Sequence, residues 1–152
     1  ITLAFFGYFV IKQAGSGLGW WIILLSGFLG NIITANVMDT VHTSVGASTA
    51  GLGALGACAA FQFIKYYHER PTLWRIWHQS WVVVLAAIAL LGLLGTAPGS
   101  DVAGHFFGFI SGTAEVILLM PLIRRHNSRI LDLILLSLFL TCLPLSWIPA
   151  FN

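Results

Sequence analysis

Charge is what this sequence has least of: Asp, Glu, Lys and Arg make up 8% of its 152 residues, where a soluble domain carries about a quarter. That excludes water as the main solvent. Seven basic and five acidic residues leave a net charge of +2, too little for a nucleic-acid footprint. The two cysteines, Cys58 and Cys142, both fall inside apolar runs; they are expected to pack as small side chains rather than to form a disulfide or a metal pair. No zinc-ligand spacing and no His-Glu-x-x-His element occurs, so no metal or cofactor is expected. An initiator Met and a basic n-region with a cleavage site are also missing. The first apolar stretch is therefore expected to be the tail of a longer helix, and the sequence a piece of a longer protein.

What remains is 58% hydrophobic. At about 20 apolar residues per bilayer crossing, the length leaves room for six or seven spans. Charged or turn-rich breaks separate six apolar segments, roughly 1–11, 20–38, 45–64, 79–96, 102–122 and 130–149. The expected class is an all-α, polytopic transmembrane helix bundle forming one domain over 1–152. If each segment crosses once, Lys12, Lys65, Arg70, Arg75, Arg124, Arg125 and Arg129 all fall on one side. The positive-inside rule makes that side cytoplasmic and puts the loops around Asp39 and Asp101 outside, as in a protein of the cell membrane. Trp20, Trp21, Trp74, Trp77 and Trp81 then lie near inner ends of spans, and Trp147 near an outer end, as interfacial aromatics do.

Two segments carry residues with chemistry. The third opens Gly46-Ala47-Ser48-Thr49-Ala50 and continues through Gly51, Gly53, Ala54, Gly56 and Ala57, a run of small side chains that lets helix backbones approach closely in lipid. Taken alone, Ser48 reads as one more small packing residue. The fifth carries Gly104-His105, then Gly108 and Gly112, and the spacing i, i+3, i+7 from His105 puts the histidine and both glycines on one face. His42, His68, His78 and His126 lie in or beside loops, whereas His105 sits within an apolar helix, where an ionisable residue is costly and points to function. The bland reading is a neutral histidine bonded to a carbonyl. Depth separates the two readings: Ser48 and His105 each lie about four residues inside the outer edge of their spans, ~5–6 Å below the surface at 1.5 Å per residue. They are expected to meet, with Gly46, Gly108 and Gly112 allowing the approach, so that an imidazole can activate a hydroxyl that is a weak nucleophile by itself.

These residues resemble the rhomboid intramembrane serine proteases. The resemblance rests on G-A-S-T-A at 46–50, G-H-x-x-G-x-x-x-G from Gly104 to Gly112, the Gly15-Ser16-Gly17 turn and the Gly30-Asn31 pair; it covers about 1–122, with 130–149 as an additional C-terminal span. It implies Ser48 as nucleophile, His105 as general base, the Ser48 backbone N–H as an oxyanion donor, and transmembrane proteins in the lipid bilayer as substrates. The departures are Thr49 where the family often has glycine, Gly104 where it often has alanine, and Leu52 where some members carry a tyrosine that stacks on the histidine. The family's His-and-Asn oxyanion motif would fall just upstream of Ile1. Loss of such a donor typically costs ~100- to 1000-fold in turnover, so the piece by itself is expected to be impaired. A catalytically inactive relative that binds transmembrane helices is the alternative implied.

Other polar residues have plainer readings. Asp101 is expected to cap a helix rather than orient His105. His42 is a rival base six residues before Ser48. Glu115 is expected to be protonated or paired within the bundle, and Asn31 and Asn36 are expected to bond across helices.

Overall fold

The computed structural model describes residues 2–38, 46–68, 85, 88–89, 92–93, 101–125 and 129–147. Among them every regular element is helical, and five helices have defined limits: α1 Thr2–Ala14, α2 Ser16–Val37, α3 Gly46–His68, α4 Val102–Arg125 and α5 Arg129–Trp147. The stretches Ser16–Val37, Gly46–Lys65 and Val102–Arg124 are long and apolar enough to cross a membrane. Most of the apolar run 79–96 lies outside the described residues, although Leu85, Ile88, Ala89, Gly92 and Leu93 within it are helical. Trp74, Trp77 and Trp81 also lie outside the described residues.

The break between the first two helices is shorter than the sequence suggests. The expected turn over 12–19 reduces to Gly15 alone, because its φ of +93° is open to glycine and reverses the chain within one residue. Beside it, α5 supplies what α2 lacks. A helix start leaves backbone N–H groups without carbonyl partners, and Gly15 has no side chain to cap them. The Asp132 carboxylate does so from the other helix, accepting from Gly17 N–H at 2.8 Å and Ser16 N–H at 3.1 Å. Gly17 is needed there, since a Cβ would overlap the Asp132 carbonyl.

The core lies where α2, α3 and α4 meet. Gly30 of α2 abuts Gly108 of α4, with Thr49 of α3 against both. Ser26 of α2 lies against Gly53 of α3, and a Cβ on Gly112 would overlap the Gly53 carbonyl. Contacts of Gly108 with Thr49 and of Gly112 with Gly53 make α3 and α4 parallel neighbours, whereas α2 runs opposite to both. At the basic end Val10, Ala14, Leu18, Ile22, Ala57, Phe61 and Val116 form the apolar cluster. Lys12, Lys65 and Arg124 end α1, α3 and α4, and Arg129 begins α5, so these described basic residues gather at one end of the bundle.

Some polar and thiol groups depart from expectation. Asn36 donates to the Ile32 carbonyl of its own helix at 2.7 Å; near the exposed end of α2 the carbonyl one turn back is its nearest acceptor. Cys58 packs as expected, its thiol directed at the Phe6 carbonyl at 3.6 Å, but Cys142 is exposed because it lies on the outward side of α5.

Gly112→Ala is expected to lower stability by about 1–3 kcal/mol, the usual cost of forcing a methyl into filled space. Gly92→Ala, where nothing among the described residues lies within 4 Å of the added Cβ, should be neutral or slightly stabilising, as alanine is in helices. Thermal unfolding in one detergent, followed by circular dichroism, reads both; equal midpoints would refute closure of α3 on α4 through glycine.

Candidate active site

Ser48 is the third residue of α3 and His105 the fourth of α4. Because the two helices are parallel and in register through glycine contacts, these positions come to the same level. His105 Nε2 stands 3.0 Å from Ser48 Oγ. With the ring proton on Nδ1, the Ser48 hydroxyl donates to Nε2, the direction a general base requires. The imidazole is buried, with 4% of its surface exposed, whereas Ser48 is exposed. The ring is thus held by packing and the oxygen remains approachable.

The close approach has a specific cause. A Cβ on Gly108 would come within 2.6 Å of the Thr49 carbonyl, so any larger residue would push His105 and its helix away from Ser48. Gly46 acts elsewhere than expected. Its added Cβ would meet the Asn31 amide at 3.2 Å, which places it against α2, not between the two site helices. Asn31 therefore lies at the boundary between α2 and α3, next to the first turn of the serine helix.

Ser48 also occupies the first turn of α3, where backbone N–H groups have no carbonyl acceptor within the helix and the helix dipole favours negative charge. This is chemically suited to a developing oxyanion. Asp101 precedes α4 and accepts from Gly104 N–H at 2.8 Å, while its carbonyl accepts from His105 N–H at 3.0 Å; both are bonds of a helix N-cap. Leu52, one turn below Ser48, is buried. His42 lies outside the described residues. Glu115 is 9% exposed, and its two carboxyl oxygens find no hydrogen-bond partner among the described residues. No group of three potential metal ligands occurs among the described residues. A groove of about 630 Å³ runs beside α2 and is lined by Gly46 and Ala47 but not by Ser48, so it is distinct from the Ser–His contact.

The Rhomboid domain family model matches residues 1–122. The chain belongs to the rhomboid family. Its helices and composition make it an integral membrane protein of that family. Among curated relatives it is similar to inactive rhomboid protein 2 of Homo sapiens, at 29% identity over 123 residues covering 78% of this chain and 14% of the relative. It is also similar to rhomboid-like protease 3 of Toxoplasma gondii, at 34% identity over 92 residues, covering 60% of this chain and 34% of that protein. The chain thus spans about a third or less of the length of these relatives. No solved structure matches it significantly. One relative is named inactive and the other a protease, so membership of the family fixes the fold without fixing the activity.

Asp132 escaped the sequence reading, although an acid inside the apolar run 130–149 was a signal that it had a partner.

Asp101→Asn, which keeps a capping oxygen, is expected to leave the reactivity of Ser48 within a few-fold of the parent, while Asp101→Ala lowers stability by about 0.5–2 kcal/mol as cap losses do. A fluorophosphonate labelling time course measures the first. A hundredfold fall for Asp101→Asn would instead assign the carboxylate to the imidazole.

Proposed function

We propose that this chain carries the catalytic centre of an intramembrane serine endopeptidase that cleaves transmembrane segments of other membrane proteins. The single observation that supports this most is the 3.0 Å approach of Ser48 Oγ to His105 Nε2 across two helices. In this reading the Ser48 oxygen attacks a scissile carbonyl while its proton passes to Nε2. The oxyanion forms beside the Ser48 backbone N–H at the α3 terminus. Protonated His105 then donates to the leaving amine, and the resulting ester is hydrolysed by water that gives its proton to the same nitrogen. The exposed position of Ser48 supports access of both water and an unwound substrate strand. The gathering of Lys12, Lys65, Arg124 and Arg129 at the far end of the bundle favours a site facing the outer side of the cell membrane.

The likeness to a human protein named inactive supports a second reading, a rhomboid protein that binds transmembrane helices without cutting them. The paired hydroxyl and imidazole favour the first, because binding alone has no use for a base within reach of a nucleophile.

Labelling of the full-length protein in detergent with a fluorophosphonate decides between them. The parent is expected to take label, Ser48→Ala none, and His105→Ala to label ~100- to 10,000-fold more slowly, the usual worth of general-base assistance. An unlabelled parent, or a Ser48→Ala protein that labels equally, would leave the binding reading in its place.

A further inference from the structure

Thr49, the residue after Ser48, is fully buried, with 0% of its surface exposed, at a point where three helices converge. Its carbonyl oxygen lies 2.6 Å from where a Cβ on Gly108 of α4 would stand, and its methyl carbon Cγ2 lies 2.8 Å from the same place. The same methyl is 2.8 Å from where a Cβ on Gly30 of α2 would stand, and so are the Cα and N of Gly108. One methyl of α3 is thus enclosed by glycine backbone from each of the other two helices. This vertex is next to Ser48 along α3 and within one turn of His105 along α4, whose Nε2 stands 3.0 Å from Ser48 Oγ. One turn further in, Gly53 meets Ser26 and Gly112, so the methyl of Thr49 lies between that seam and the Ser–His contact.

We infer that Thr49 is a positioning residue: its methyl is a spacer on which α2 and α4 close, and its thickness sets the distance between Ser48 Oγ and His105 Nε2. Threonine is branched at Cβ, so its methyl is confined to few rotamers and holds its place. In lipid the helices are held by contact rather than by a hydrophobic drive, and a void left at the vertex is closed by movement of the helices. Neither Gly30 nor Gly108 has a side chain to prop it open. What a truncation costs depends on how far its surroundings collapse, and here collapse carries the imidazole with it. The Thr49 carbonyl already blocks a direct approach of Gly108, so closure turns α4 about that contact and takes the ring out of line with the hydroxyl. The value of the spacing in turnover rests on the protease reading, whereas the spacing itself is measured separately.

The full-length protein in detergent, with nitrogen-15 in its histidines, gives two readouts: the ring resonances, among which that of His105 is the one missing from His105→Ala, and the rate of fluorophosphonate labelling against pH. Ser48→Ala is expected to shift the His105 Nε2 resonance by removing its hydrogen bond. Thr49→Ser, which keeps the hydroxyl and loses the methyl, should shift it the same way and slow labelling by ~100-fold, as a misplacement of about 1 Å does, with the rise in rate through the imidazole titration flattened towards that of His105→Ala. Thr49→Val, which keeps the branched methyl and loses the hydroxyl, should retain the parent resonance and label within a few-fold of the parent. In a His105→Ala background Thr49→Ser should slow labelling no further, because a residue acting through the imidazole then has nothing left to position. A further fall of the same size there would make Thr49 a packing residue only and overturn the proposal. So would a parent-like His105 resonance in Thr49→Ser, or a shift in Thr49→Val as large as in Thr49→Ser, since the hydroxyl would then carry the effect. If the parent takes no label while Thr49→Ser still shifts the resonance, the protease reading falls and the spacer stands; if the parent labels and the resonance stays in place, the spacer falls and the protease reading stands.

Discussion

Everything at the site depends on how closely two helix backbones can lie. In lipid there is no hydrophobic reward for pressing α3 against α4, so the pair must gain its stability from contact between atoms. Glycine at 53, 108 and 112 removes the side chains that would hold the helices apart, and carbonyl groups of Thr49 and Gly53 occupy the space a methyl would fill. Parallel direction and matched register then follow together, and with them the common level of Ser48 and His105. The hydrogen bond between these residues contributes about 1 kcal/mol at most to stability. It is a consequence of the packing, and the packing would persist without it.

The same residues explain why so much was legible in the sequence. Membrane spans announce themselves through long apolar runs and basic ends, and the limits of α3 and α4 fall within a few residues of the expected segments. Depth could be counted because a helix rises uniformly, and the glycine spacing identified the face that approaches a neighbour. Which neighbour was less readable. Gly46 looked like part of the α3–α4 seam, yet it meets Asn31 of α2, since small residues mark a close approach without naming the partner. Asn36 shows the same limit for amides: a polar side chain in an apolar helix needs an acceptor, and the carbonyl one turn back serves as well as another helix.

Long-range pairing was the least legible feature. The Gly15-Ser16-Gly17 segment was readable as a turn, but nothing local indicated that a carboxylate more than a hundred residues away would complete it. Helix ends create a demand for acceptors that sequence can reveal. The supplier is selected by tertiary arrangement. Two helix starts in this protein solve the same problem in opposite ways: α4 is capped by its own preceding residue, Asp101, and α2 by Asp132 of another helix. The first choice makes α4 locally self-sufficient, which suits a helix that must hold an imidazole in place. The second makes the start of α2 depend on the presence of α5.

Glu115 shows what this economy of contacts leaves over. It lies ten residues beyond His105 on α4, buried and without a hydrogen-bond partner among the described residues, in a medium where an unsatisfied polar group costs several kcal/mol. The bundle bears that cost because its stability is not drawn from a polar core. The tight glycine seams between α2, α3 and α4 run along the upper half of the helices, and the apolar cluster around Ile22, Ala57 and Val116 closes the lower half. Glu115 falls at the junction of the two. Polar strain is thereby kept away from the Ser48–His105 contact, which needs register to be exact to a few tenths of an ångström if a 3.0 Å hydrogen bond is to be kept. At ~1.5 Å per residue Glu115 lies ~15 Å along α4 from His105, out of reach of the imidazole, and Nε2 meets the Ser48 hydroxyl in the direction a general base requires.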